Sequence, residues 1–253
     1  NIIRSAIDVG QLYPAGGRRL LDSTSGNMGI AYATFGAVRG IGVTLAVPGN
    51  ASPERLAILR ALGAEVILTD PLEGSDGAMM EARRLSIEEP DRYFYANQYN
   101  NDANWRAHYN GTGVEIATQT NGRATHFVAG LGTSGTFVGV GRRLKQHNAD
   151  IQLIAFQPDE PFHGLEGLKH MESAIKPKIY DETLADLNLT VNTEAAQEMT
   201  LRLAREEGLF VGISSGAAAV AALEVARTLD GGLVVTVFPD AGFKYLSERF
   251  WGA

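Results

Sequence analysis

The sequence predicts an α/β protein whose sheets are parallel and covered on both faces, and three observations carry that prediction. Short apolar runs alternate with helical patterns almost from end to end. Those runs are continuously apolar, which is how a strand buried on both faces reads. The chain has 253 residues, 45% of them apolar and 20% charged, which suits two compact lobes or one large domain.

The elements follow in order. Asn1-Ile2-Ile3-Arg4 opens a helical pattern, Arg19-Leu20-Leu21-Asp22 reads as the first strand, and a helix is expected over residues 26–38. Val43-Thr44-Leu45-Ala46-Val47 is a buried strand stopped by Pro48. Ser52-Pro53-Glu54 reads as a helix N-cap with Pro at the first helical position, and Gly63 ends that helix after Leu62. A strand over 65–69, a helix over 75–88 and a strand over 93–98 come next. His126-Phe127-Val128-Ala129 is a strand, followed by a glycine-rich turn and a helix to His147. Strands over 151–156, 210–213 and 233–238 and helices over 193–207 and 215–229 complete the pattern. Residues 159–192 lack clear periodicity and read as a functional excursion. The polar stretch Asn100-Asn101-Asp102-Ala103-Asn104 is the best place for a boundary, between a smaller α/β lobe over 1–104 and a larger one over 105–253. In such sheets, sites are expected at the carboxyl ends of strands, where helices begin.

Composition narrows the function. A net charge of −7 with scattered basic residues argues against nucleic acid as the partner. The chain contains no cysteine, which removes disulfides, thiolate metal sites and a cysteine nucleophile from these residues and fits a cytoplasmic protein. No membrane span or signal peptide is expected. The missing initiator Met suggests a natural start further upstream. His108, His126, His147, His163 and His170 form no i, i+4 pair, so no metal site is expected.

Three strand-to-helix turns carry candidate chemistry. Gly130-Leu131-Gly132-Thr133-Ser134-Gly135-Thr136 combines glycines, which let backbone approach an anion, with three hydroxyls and a helix N-terminus. It also matches the G-x-G-x-x-G pattern of dinucleotide folds. That reading asks for an acidic residue at the end of the next strand, where Gln157-Pro158 stands with Asp159 slightly beyond, so a phosphate monoester suits the turn better, and a tight turn without a ligand is the plain alternative. Ser23-Thr24-Ser25-Gly26-Asn27-Met28-Gly29 is a second anion-binding turn, or an ordinary N-cap. Gly212-Ile213-Ser214-Ser215-Gly216-Ala217 offers small residues beside a planar ligand and a hydroxyl for a ring nitrogen, or again a cap.

Taken together, Thr24-Ser25-Gly26-Asn27, Gly132-Thr133-Ser134-Gly135-Thr136 and Gly212-Ile213-Ser214-Ser215-Gly216 resemble, in order and spacing, the cysteine synthase family. Asn97-Gln98-Tyr99-Asn100, Asn110-Gly111-Thr112-Gly113-Val114-Glu115 and Pro239-Asp240-Ala241-Gly242-Phe243-Lys244-Tyr245-Leu246-Ser247 extend the resemblance over essentially the whole chain. It implies the two-lobed, three-layer α/β fold of the tryptophan-synthase-β type (pyridoxal-phosphate fold type II), lacking that fold's N-terminal segment, with pyridoxal 5′-phosphate between the lobes.

By this resemblance Gly132, Thr133, Ser134, Gly135 and Thr136 cradle the cofactor phosphate, Ser214 faces the pyridine nitrogen and Asn27 bonds the ring hydroxyl. Thr24, Ser25, Gly26, Met28 and Gln98 hold the substrate α-carboxylate. Met28 stands where the family often has Thr, so a side-chain hydroxyl is lost there while backbone donors remain. Ser134 stands where the family often has Gly.

The activity implied is β-replacement: O-acetylserine or O-phosphoserine loses its leaving group to give an aminoacrylate, and sulfide or another sulfur donor adds to give L-cysteine. Lys169, in Gly164-Leu165-Glu166-Gly167-Leu168-Lys169-His170-Met171, resembles the position where phosphoserine-using relatives place an Arg. It favours phosphate as the leaving group, although a lysine lacks the guanidinium fork and an ordinary solvent-exposed lysine is the plain alternative. The alternatives to a cysteine synthase are a cystathionine β-synthase, a serine/threonine dehydratase, a nicotinamide-dependent oxidoreductase, or a non-catalytic ligand-binding relative. The expected partners are small-molecule substrates and a second copy of the chain in a homodimer, with no nucleic acid and no membrane. The family's Schiff-base lysine lies in a Ser-x-Lys-Asp-Arg-like segment. None of Lys145, Lys169, Lys176, Lys178 and Lys244 has that context, so the lysine is expected upstream of Asn1.

Overall fold

The computed structural model describes residues 1–14, 16–24 and 26–252. It divides into two compact units, one formed by Asn1–Asn101 with Lys244–Glu248, the other by Asp102–Phe243 with Arg249–Ala253.

In the first unit the elements are α1 (Ile2–Asp8), β1 (Arg19–Ser23), α2 (Asn27–Arg39), β2 (Val43–Pro48), α3 (Pro53–Ala61), β3 (Glu65–Thr69), α4 (Gly74–Glu88) and β4 (Tyr93–Tyr95). The four strands are parallel, in the order β3-β2-β1-β4. β2 is buried along its whole length and β1 from Leu20 to Ser23, which is why both read as unbroken apolar runs. α4 lays Ala78, Ala82 and Leu85 against Leu21, Ala46 and Tyr93. Because β1 pairs with β2 on one side and β4 on the other, the turn leaving β1 sits at the switch point of the sheet, where such folds bind ligands. The segment Lys244–Glu248 is fastened to α3: Arg55 Nη2 donates to Tyr245 Oη at 2.5 Å, and Ser247 N and Oγ donate to Glu54 at 2.7 and 2.8 Å.

The second unit contains α5 (Ala103–Asn110), α6 (Thr112–Gln119), β5 (His126–Gly130), α7 (Gly135–His147), β6 (Gln152–Pro158), β7 (Leu187–Val191), α8 (Thr193–Glu206), α9 (Ile213–Ala226) and β8 (Val234–Thr236). Its strands are parallel in the order β7-β6-β5-β8. β5 therefore holds the switch-point position here, and the glycine-rich turn leaves its carboxyl end. Phe127, Phe137, Val140, Leu153 and Ala155 form the core between sheet and helices. Asn192 caps α8 with its side-chain oxygen, which accepts from Glu194 N at 2.9 Å and Ala195 N at 3.3 Å.

Several sequence expectations change. The strand over 210–213 does not form: Val211 makes a single antiparallel bridge to Ala241, and α9 already begins at Ile213. Gly212 is its N-cap, so Ser214 and Ser215 lie within its first turn. The expected strands over 93–98 and 233–238 shorten to Tyr93–Tyr95 and Val234–Thr236. α5, α6 and β7 have no counterpart in the sequence reading. Ser52 is an N-cap by position alone, since its hydroxyl donates to the Lys244 carbonyl at 2.9 Å.

Candidate functional site

In the first unit, the turn after β1 is closed by one side chain. Thr24 Oγ1 accepts from Gly26 N and Gly29 N, both at 3.1 Å, and donates to the Gly26 carbonyl at 3.2 Å. Its hydroxyl is thereby used to shape the turn at the start of α2, a place in a fold where helix N–H groups can meet an anion. Gln98 is buried, and its Nε2 donates to the Ser23 carbonyl at 2.5 Å, bracing the turn from the loop after β4. Ser25 lies outside the described residues. Met28 is in the first turn of α2, and Asn27, the first residue of that helix, accepts on Oδ1 from Lys244 Nζ at 2.5 Å.

Beneath this turn sits a charged residue the motif reading passed over. Asp22 has no exposed surface. Its carboxylate accepts from Ser23 N at 2.9 Å, Gln98 N at 3.1 Å and Tyr32 Oη at 2.8 Å. Burial pushes its pKa up to about 7, and the three hydrogen bonds offset only part of that shift. A carboxylate ending an otherwise apolar strand was the available signal.

In the second unit, the turn after β5 places Ser134 at the N-cap of α7 with φ +67°, the left-handed region that favours glycine. Ser134 Oγ is buried and finds no partner among the described residues. Thr133 Oγ1 accepts from Asn104 Nδ2 at 3.1 Å and Gly135 N at 3.3 Å. Thr136 Oγ1 lies 3.4 Å from His108 Nε2, whose other ring nitrogen is 3.0 Å from Thr112 Oγ1. Burial lowers the His108 pKa below the usual imidazole value. Asn104 and His108 stand one helical turn apart on α5 and hold two hydroxyls of the turn. Neither was identified from sequence, because α5 itself was not.

The excursion after β6 packs onto the same turn. Lys169 N donates to the Leu131 carbonyl at 2.8 Å, and a Cβ at Gly132 would stand 2.2 Å from the Gly167 carbonyl oxygen. Gly132 is therefore a place where backbone meets backbone. Lys169 is 3% exposed, so the reading of it as a solvent-exposed lysine does not hold. Ser214 is buried, and the strand-like residues before it are tied to 240–242 by Gly212 N to the Asp240 carbonyl and Gly242 N to the Phe210 carbonyl, both at 3.1 Å.

A phosphate monoester fits the second-unit turn. The orphaned Ser134 hydroxyl, the clustered hydroxyls of Thr133 and Thr136, and the opening N–H groups of α7 form a donor-rich turn whose own residues carry no cationic side chain. Among the described residues no group of three or more His, Asp or Glu could hold a metal ion, and no helix is long and apolar enough to cross a membrane.

Comparison with known proteins places these turns in a family. The chain is 54% identical over 239 residues to a cysteine synthase of Aquifex aeolicus (strain VF5), covering 93% of this chain and 73% of that protein. A solved cysteine synthase from Entamoeba histolytica superposes with a TM-score of 0.90 at 36% identity, over 100% of this chain and 76% of that one. An O-acetylserine-dependent cystathionine β-synthase from Helicobacter pylori gives a TM-score of 0.92 at 34% identity, over 99% of this chain and 83% of that one. With a family model matching residues 2–240 and 54% identity to a cysteine synthase over 239 residues, the chain belongs to the pyridoxal-phosphate dependent enzymes.

Proposed function

We propose that this enzyme is a cysteine synthase, replacing the β-substituent of O-acetylserine or O-phosphoserine with a sulfur nucleophile to give L-cysteine. The observation that carries the reading is the 54% identity over 239 residues to a cysteine synthase. Pyridoxal phosphate, when bound, supplies an electron sink that makes the α-proton of an amino acid acidic and lets a β-substituent leave.

In this reading the chain's own residues bind and orient. Gly132 to Thr136 hold the phosphate through backbone N–H groups and hydroxyls. Ser214 offers the pyridine nitrogen a neutral hydroxyl, which does not hold that nitrogen protonated as a carboxylate would. Asn27 meets the ring hydroxyl. With Oδ1 accepting from Lys244, its Nδ2 is the end that can donate. Thr24, Ser25, Gly26, Met28 and Gln98 form the α-carboxylate site; Thr24 shapes the turn and the backbone N–H groups bind. The buried ammonium of Lys169, held by its backbone beside Leu131, is the candidate for recognising a phosphate leaving group. The reading also makes the enzyme a cytoplasmic homodimer, checked by sedimentation and fractionation.

The test uses the protein with the lysine-bearing segment that the resemblance places ahead of Asn1. With O-acetylserine or O-phosphoserine and sulfide it should release cysteine. Faster formation of cystathionine when homocysteine replaces sulfide would favour the activity that the Helicobacter pylori protein's name describes. Pyruvate from serine without cysteine formation would overturn the proposal in favour of a dehydratase.

A further inference from the structure

We propose that Asn104 is a positioning residue that turns Thr133 into a committed hydrogen-bond donor to the phosphate. The inference rests on the reading of the turn after β5 as the phosphate site, and adds to it a residue from outside the turn.

The argument is an accounting of one oxygen. A hydroxyl has one hydrogen to give and two lone pairs to receive. Thr133 Oγ1 receives from Asn104 Nδ2 at 3.1 Å and from Gly135 N at 3.3 Å, so both lone pairs are occupied. Its hydrogen goes to no acceptor among the described residues. It is left for an acceptor that comes to the turn. A phosphate site with no cation among its turn residues depends on where its neutral donors point, and a hydroxyl free to rotate would also find inward acceptors.

Asn104 is built to stay in place. It is 3% exposed on the first turn of α5. A Cβ at position 135 would stand 2.0 Å from Asn104 Oδ1. Glycine at that position therefore serves two ends: it opens α7 toward the anion, and it leaves the space in which the Asn104 amide reaches Thr133.

The experiment compares two ligands that differ only in the phosphate. Full-length protein stripped of cofactor is titrated with pyridoxal 5′-phosphate and with pyridoxal, and folding is followed separately by urea denaturation. Asn104→Ala should weaken pyridoxal 5′-phosphate roughly tenfold, the scale of one hydrogen bond to a charged group, and leave pyridoxal unchanged. In a Thr133→Val background, Asn104→Ala should add no further loss. Should Asn104→Ala fail to fold, Asn104→Leu keeps a similar volume, removes the amide donor without adding charge, and should show the same selective loss. Equal weakening of both ligands, or full additivity with Thr133→Val, overturns the role of Asn104. If Thr133→Val itself leaves the ratio of the two affinities unchanged, the phosphate reading of the turn falls instead.

Discussion

Tyr32 donates its hydroxyl to Asp22 at 2.8 Å, joining α2 to the end of β1 where neither residue has more than 2% of its surface exposed. Because the same carboxylate receives Ser23 N and Gln98 N, one charged group fastens α2, the turn after β1 and the loop after β4. The phenols of Tyr95 and Tyr99 feel this charge as well. Burial, followed by Asp22, pushes both phenols well above the usual tyrosine value.

That arrangement gives stability a pH dependence of predictable sign. The folded-state pKa of Asp22 is about 7, above its usual value of 3.8, so between those limits the folded chain holds the proton more tightly than the unfolded chain. The stability from this group is complete below the usual carboxylate pKa and is lost as pH rises to about 7. The amount is on the order of a few kcal/mol. Urea midpoints of wild type and Asp22→Asn across this range should show the wild type's extra fall and a flatter profile in the variant. Parallel profiles would refute the assignment.

Ser134 is held at φ +67° with an orphaned buried hydroxyl. Ser134→Gly removes both costs and adds chain entropy to the unfolded state. The left-handed conformation and the unpaired hydroxyl together outweigh the roughly 0.5–1 kcal/mol of that entropy. Cofactor-free Ser134→Gly should melt a few degrees higher than wild type in calorimetry. A lower melting temperature would show that the serine is not strained.

For Lys169, the expected result concerns substrate choice. Lys169→Ala should lower kcat/KM for O-phosphoserine at least tenfold and that for O-acetylserine much less, since only the first carries a phosphate for the ammonium to meet. Steady-state assays with both substrates decide it. An unchanged preference removes Lys169 from leaving-group recognition.

Tyr245 packs its ring 4.6 Å from the Arg55 guanidinium and accepts its N–H at 2.5 Å. Tyr245→Phe keeps the ring and removes one acceptor from a buried cation. A loss of about 1–3 kcal/mol is expected, read from the urea midpoint at constant slope. No measurable change would mean that the phenol's hydrogen bond adds nothing to the other contacts of the segment.

The strands of both sheet centres were legible because parallel strands covered on two faces write continuous apolar runs, as Val43-Thr44-Leu45-Ala46-Val47 does. β7 was not: its first two residues, Leu187 and Asn188, are exposed at the sheet edge, and no such run results. The run at 210–213 misled for the opposite reason, being apolar in a segment that makes only one bridge before its helix. The turns were legible as small-residue clusters. Asn104 and Asp22 were not, because their roles come from burial and partners in another element, and an asparagine within Asn-Asn-Asp-Ala-Asn reads as loop.

The segment Lys244–Glu248 belongs to the first unit although most of the second unit, Asp102–Phe243, comes before it in the chain. On the ribosome, the second unit has nearly all of its residues before the first can receive its last piece. The Ser247 latch on Glu54 spans 193 residues of sequence. The unit that begins first is thus closed only after nearly all of the other has been made. Until Tyr245 arrives, α3 lacks the phenol that accepts from Arg55 and the ring that packs on its guanidinium, so this unit gains its last contacts only near the end of synthesis.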